Sequence, residues 1–168
     1  QILQKDLSLE GMLWEPIPSF SGQLKGNGHT ISDLTITGQY SPAGLFGIVE
    51  EQGSIESLSV RGVVSVSDSA DTTTGGIVGI NHGTLINCQF TGVVTGDSEV
   101  GGIVGRNLGA VNASENYAAV NPDDESAALE LSDLNFESLS LRETIETYTD
   151  TGGVAGYSSG EMLSLIHI

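Results

Sequence analysis

A four-residue phrase, Gly-x-x-Gly, returns along the chain as Gly44-Leu45-Phe46-Gly47, Gly76-Ile77-Val78-Gly79, Gly102-Ile103-Val104-Gly105 and Gly153-Val154-Ala155-Gly156. Each copy is followed within a few residues by another Gly and then by a short alternating apolar run. The repeating unit is therefore a whole turn of backbone. Such a unit cannot bury its apolar face until a neighbour lies against it, so the period predicts a solenoid.

Aligning the runs after the glycines predicts what is stacked. Ile31, Ile55, Leu85 and Val111 form one column, and Leu34, Leu58, Cys88 and Ser114 a second. Ile36, Val60, Phe90 and Asn116 form a third, and Gly38, Gly62, Gly92 and Ala118 a fourth. The last three columns alternate at period 2, the signature of strands with one buried face. One extra residue between the first two columns predicts a bulge or corner where the chain turns to the next side of the coil. Helices compete poorly, because Val, Ile and Thr dominate and no 3.6-residue stripe persists. The expected fold is all-β, a parallel β-helix of about five coils, roughly 20–25 Å tall at strand spacing. Glycine is expected at corners that need positive φ.

Successive Gly-x-x-Gly copies start 32, 26 and 51 residues apart. The long last interval fits either a coil without glycines or an acidic insertion over 119–150. Leu131-Ser132-Asp133-Leu134-Asn135-Phe136 repeats the form of Ile31-Ser32-Asp33-Leu34-Thr35-Ile36, which favours a degenerate coil. Asn121-Pro122-Asp123-Asp124-Glu125 has the N-cap, proline and acids of a helix start, which predicts a short helix near 122–130.

The formal net charge of −17, with only Lys5, Lys25, Arg61, Arg106 and Arg142 positive, argues against nucleic acid. It also disfavours anionic membranes, and no stretch is long and apolar enough to insert as a helix. Acidity of this kind suits a monomeric segment of a larger secreted or surface chain. Cys88 is the single cysteine and, from its column, a small buried apolar residue.

Asp6-Leu7-Ser8-Leu9, Trp14-Glu15-Pro16-Ile17, Phe20-Ser21-Gly22 and Gly26-Asn27-Gly28-His29-Thr30-Ile31, followed by the first Gly-x-x-Gly, resemble the opening of the GLUG-repeat β-helices of bacterial surface proteins. Gly75-Gly76-Ile77-Val78-Gly79-Ile80-Asn81-His82-Gly83-Thr84-Leu85-Ile86-Asn87-Cys88 looks like the repeat itself. The resemblance covers residues 6–118 and again 152–160. It implies a right-handed parallel β-helix from an exported protein. Adhesin-like cell-wall proteins and the N-terminal regions of M26-type immunoglobulin A-cleaving metallopeptidases carry such repeats. The chain departs from the pattern at Asn116 and through 119–150.

Few residues suggest chemistry. Gly26-Asn27-Gly28 suits left-handed backbone in a tight corner. Trp14 and Phe20 are expected to cap the exposed end of the first coil, with Trp14 as a sugar-stacking platform the alternative. His29, His82 and His167 stand apart and no HExxH occurs, so no zinc peptidase centre is recognisable. Asp33 aligns with Ser57, Asn87 and Ala113, and Glu56 with Ser32, Ile86 and Asn112, so the acids form no paired-carboxylate face of a glycosidase kind. Asp68, Asp71, Asp97 and Glu99 precede successive glycine pairs and are the candidates for calcium, against a reading as solvated loops. No cofactor is implied.

Leu163-Ser164-Leu165-Ile166-His167-Ile168 departs from the expected register and resembles one reading frame of a transposon-end sequencing adapter. Residues 1–162 are then one β-helix fragment. The expected function is non-catalytic: an adhesin-like stalk or display segment. Alternatives are the accessory region of a secreted peptidase, or outward strand faces that bind a host glycan or protein.

Overall fold

The computed structural model describes residues 1–67, 72–122, 150–163, 166 and 167. Three complete four-sided coils form its centre. They run β5 (Phe46–Val49), β6 (Ser54–Glu56), β7 (Ser59–Val66), β8 (Thr73–Gly75); then β9 (Val78–Asn81), β10 (Thr84–Ile86), β11 (Gln89–Thr95), β12 (Glu99–Gly101); then β13 (Val104–Asn107), β14 (Ala110–Asn112), β15 (Glu115–Val120), β16 (Asp150–Gly152). Incomplete coils flank them. β1 (Leu7–Ser8), β2 (Ile17–Phe20), β3 (Gln23–Lys25) and β4 (Thr30–Gly38) precede, and β17 (Ala155–Ser158), β18 (Glu161–Leu163) and β19 (Ile166–His167) follow.

Every ladder is parallel, and each sheet takes one strand per coil. The orders are β1-β4-β7-β11-β15-β19, β18-β14-β10-β6-β3, β16-β12-β8 and β17-β13-β9-β5-β2. The chain is thus an all-β solenoid, with no helix among the described residues. The expected five coils resolve into three complete ones with a partial coil at each end.

Inward columns fill the interior. Ile55, Leu85 and Val111 lie in register and are fully buried, as are Leu58 with Cys88, and Val60 with Phe90. At about 25 cal/mol per Å² of apolar surface removed from water, these side chains supply the main attraction between coils. The corner between the first and second columns is real. Ser57, Asn87 and Ala113 turn it with φ of 54°, 53° and 48°.

The first coil departs from the expected alignment. Leu24, not Ile31, pairs with Ile55, while Ile31 pairs with Val60 and Leu34 with Gly62. Ile36 accordingly faces Val64 and Gly38 faces Val66. A bulge in β4 between Ile31 and Leu34, with Asp33 at φ 62°, has the same apolar spacing as the corner of the later coils. Asp33 therefore does not share a column with Ser57, and Glu56 lies with Lys25, Ile86 and Asn112 rather than with Ser32.

The repeated glycines serve close approach rather than positive φ. None of the Gly-x-x-Gly residues is among the positive-φ positions. A β-carbon at Gly76 would sit 2.4 Å from the Phe90 ring, and one at Gly102 would sit 2.1 Å from the Asn116 amide. The second glycine meets the previous coil: Gly79 would touch Pro42 at 2.5 Å, and Gly105 would touch Thr73 at 2.7 Å. Gly26-Asn27-Gly28 does behave as expected of a left-handed turn, with Asn27 at 55° and Gly28 at 77°.

β17 pairs directly with β13, and β16 with β12. The fourth Gly-x-x-Gly therefore starts the coil immediately after the third. Of the segment 119–150, expected as a degenerate coil or an acidic insertion, residues 123–149 lie outside the described residues. The helix expected near 122–130 falls, from residue 123 on, outside the described residues. At the C-terminal end the expected break in register is not found: Leu163 pairs with Asn112 and Ile166 with Glu115.

Candidate functional site

Asn116, which looked like a departure from the repeat, is fully buried in its column. Its amide closes on its own strand, accepting from the Ala118 N–H at 3.0 Å and donating to the Ala118 carbonyl at 3.3 Å. A second buried amide stack runs between coils. Asn81 Nδ2 donates to Asn107 Oδ1 at 2.8 Å, and Asn107 Nδ2 donates to Ser158 Oγ at 3.2 Å. Buried amides satisfied in this way cost little, and stripped of a partner they cost ~1–3 kcal/mol.

Glu99 carries the one buried carboxylate among the described residues. Arg106 donates to it from Nε and from Nη2, both at 2.6 Å, and Thr73 Oγ1 donates at 3.2 Å from the coil below. The Arg106 guanidinium also lies 5.9 Å from the Tyr157 ring centroid, one coil on. This fork occupies both carboxylate oxygens. A calcium ion at Glu99 would have to displace the guanidinium. Asp97 is exposed, and its backbone N–H donates to Thr72 Oγ1 at 2.8 Å. Asp68 and Asp71 lie outside the described residues. Among the described residues no three metal-ligating side chains converge.

Trp14 lies half-buried against the core at the N-terminal end and gives its indole N–H to the Leu45 carbonyl at 3.1 Å. Phe20 stacks at 4.9 Å on Phe46. The expected cap is thus in place, completed by Leu9, which is 2% exposed and carried no signal in the repeat alignment. His29 lies 3.1 Å from Asp6, which also accepts from the Thr30 N–H at 2.9 Å. Those two contacts, Thr30 first, hold the Asp6 carboxyl below its ordinary range. Asp33 is held low in the same way by the Ser8 and Ser32 hydroxyls, each at 2.7 Å. His82 is an exposed turn residue.

Cys88 is fully buried, and desolvation pushes its thiol up to about 11. It is an inert packing residue at neutral pH. On the outward face of the longest sheet a polar ladder crosses three coils. Ser59 Oγ donates to Gln89 Oε1 at 3.3 Å, and Gln89 Nε2 to Glu115 Oε2 at 2.7 Å. Tyr117 Oη donates to the same Glu115 oxygen at 2.6 Å, which raises the phenol above its ordinary value. The repeat alignment singled out none of these residues, because column spacing carries no signal for bonds between outward side chains. No described helix is long and apolar enough to cross a membrane.

No family model matches the chain. It is 34% identical over 120 residues to "Halomucin" of Haloquadratum walsbyi, an alignment covering 67% of this chain and 1% of that protein. It is 35% identical over 81 residues to a "Putative Gly-rich membrane protein" of Evansella cellulosilytica, covering 44% of this chain and 9% of that one. The chain thus spans a small part of the length of these relatives. No solved structure matches it.

Proposed function

We propose that the chain is a structural segment of a much longer surface protein, an adhesin-like stalk in which the solenoid holds and spaces other parts of the polypeptide. The observation that carries this reading is the continuous register of the coils. β5, β9, β13 and β17 pair in unbroken succession, as do β6, β10, β14 and β18. Stacks of this kind store their stability in interfaces between neighbours, so they transmit position and resist bending. The two relatives, a halomucin and a Gly-rich membrane protein, fit a surface setting by name and by their far greater length.

Pulling the chain from its two ends in single-molecule force spectroscopy tests the reading. Discrete force peaks are expected, with a coil of 26 residues releasing on the order of 90 Å of contour. Smooth extension without peaks would overturn it. The polar ladder from Ser59 to Tyr117 supports a second reading, in which the outward face binds a glycan. A glycan array on the folded chain decides that one, and an array without signal removes it.

A further inference from the structure

The corners of the coil differ in how strictly their length is kept. Two of them take two residues in each of the three complete coils: Ser57-Leu58, Asn87-Cys88 and Ala113-Ser114 at one, Gly76-Ile77, Gly102-Ile103 and Gly153-Val154 at the other. The corner after β5, β9 and β13 is nearly as constant, with four residues (50–53) once and then His82-Gly83 and Leu108-Gly109. The corner after β7 and β11 is not constant. Six residues (67–72) join β7 to β8, and three (96–98) join β11 to β12. The strands on either side nevertheless keep one register. Thr95 pairs with Ser65 before the corner, and Glu99 pairs with Thr73 after it. β15 and β16, with 29 residues between them, continue the same two ladders, Val120 on Val94 and Asp150 on Glu99.

The constant corners are closed by contacts that fix their length. Asn81 Oδ1 accepts from the Gly83 N–H at 3.1 Å, while Asn81 Nδ2 bonds to Asn107 in the next coil. A β-carbon at Gly83 would sit 2.2 Å from the Gly53 carbonyl oxygen, and one at Gly109 would sit 2.1 Å from that of Gly83, so backbone packs on backbone there. At the other two corners the Cys88 N–H donates to Ser114 Oγ at 3.2 Å and the Ile77 N–H to the Ile103 carbonyl at 3.0 Å. The variable corner is anchored at the feet of its connections instead. Gly96 N–H donates to Asn121 Oδ1 at 2.9 Å, Asp97 N–H to Thr72 Oγ1 at 2.8 Å and Glu99 N–H to the Thr72 carbonyl at 3.0 Å. Between those feet the number of residues sets nothing in the stack. Closure entropy grows only slowly with loop length, and exposed connections accept insertions where their backbone holds nothing else in place.

We infer that the corner between β11 and β12, with its equivalents on the neighbouring coils, is the display edge of the solenoid, where the chain accepts an added polypeptide segment and presents it while the coils stay in register. The inference rests on the stalk reading and names the side of the stalk that carries other parts of the polypeptide. The occupant is a segment of the same chain, because connections of different length already join the same two ladder positions there. The corner after β9 is the opposite case. An insertion between His82 and Gly83 would pull Gly83 from the Asn81 amide and from the coil below.

The test places one peptide epitope of about nine residues at either corner of the full chain, between Asp97 and Ser98 or between His82 and Gly83. At the display edge the melting temperature is expected to fall by no more than about 5 °C, the cost of a longer loop. The Glu99 and Asn121 amides should keep their protection from hydrogen exchange. An antibody should bind the epitope on the folded chain within about tenfold of its affinity for the free peptide. At the other corner the melting temperature should fall by more than about 10 °C, or cooperative melting should be lost. The inference is overturned if the two insertions cost the same, whether much or little, or if the antibody reaches the epitope at Asp97 only after the chain unfolds. Neither result bears on whether the chain without an insertion unfolds in discrete force peaks, so failure here and failure of the stalk reading are separate outcomes.

Discussion

At the scale of the residue, the recurring glycines are spaces for other side chains. Gly76 faces Phe90 and Gly102 faces Asn116 across the coil interior, each leaving no room for a β-carbon. Ordinarily alanine in place of a glycine without positive φ stabilises by ~0.4–1 kcal/mol, because the unfolded chain loses freedom. Here the steric cost should win. Gly76→Ala is expected to destabilise by about 1–3 kcal/mol in urea unfolding, the usual penalty for overpacking a filled core. Phe90→Leu should recover part of this in the double variant, because it withdraws the ring that Gly76 accommodates. A neutral or stabilising Gly76→Ala would show that the coil relaxes around the contact.

At the scale of the element, the third coil is tied to its neighbours by the fork between Arg106 and Glu99. The coil below has Thr73 in register with Glu99 and Ile80 in register with Arg106, so the same two places are filled there by a hydroxyl and an apolar side chain. Removing one partner alone strands a carboxylate that is 9% exposed. Arg106→Leu is therefore expected to cost about 2 kcal/mol, less than for a fully buried pair because the guanidinium is partly solvated. The double variant Glu99→Thr with Arg106→Ile copies the coil below and should return most of that loss. Thermal unfolding of the wild type, the Glu99→Thr and Arg106→Ile single variants and the double variant closes the cycle, and additive losses would mean the pair is not coupled.

Also at this scale, two carboxylates fasten the N-terminal strands. Asp6 reaches Thr30 and His29, and Asp33 reaches Ser8 and Ser32. Both have folded pKa values below their ordinary ones. A depressed carboxylate stabilises the fold above the unfolded pKa of about 3.9, and the contribution disappears as pH falls through the folded value. Hydrogen exchange should therefore show β1 and the start of β4 opening ahead of β9 and β10 as pH drops below 4. Asp33→Asn should flatten that pH dependence at Leu9, whose N–H donates to the Ser32 carbonyl at 3.0 Å. An unchanged pH profile in the variant would exclude Asp33 as the fastening.

Much of this architecture was legible as sequence, because a stack writes each column once per coil. The second, third and fourth coils aligned correctly on Leu85, Cys88 and Phe90. The first did not, since Ile31-Ser32-Asp33-Leu34 makes a bulge with the same spacing and the same left-handed residue as the later corners. Local sequence cannot tell a bulge inside a strand from a turn between strands. The role of the glycines was hidden for another reason: Gly76 and Gly102 each face a side chain 14 residues away across the coil, and Gly79 and Gly105 meet the previous coil. The fork between Glu99 and Arg106 was equally illegible, because Glu99 reads as an acidic loop until its neighbour in space is known.

At the scale of the whole molecule, charge opposes the stack. The net charge of −17 is spread over a chain with five basic residues, so folding brings like charges together that the unfolded chain keeps apart. Salt acts on this repulsion more than on the attractions. The Debye length falls from ~30 Å at 0.01 M to ~10 Å at 0.1 M, which removes most long-range repulsion between surface acids. The contact ion pair at Glu99 is short and mostly desolvated, so it is screened less, and apolar columns are not weakened by salt. The melting temperature should therefore rise with sodium chloride over this range, by an amount of the order of several degrees if the relief is about 2 kcal/mol. Calcium at equal ionic strength should add nothing if Asp97 and Glu99 hold no ion. Thermal scans in sodium chloride, with matched calcium and chelator arms, separate the outcomes. A rise specific to calcium would reinstate a metal site, and a fall with sodium chloride would show that attractive pairs, rather than net charge, govern the stack.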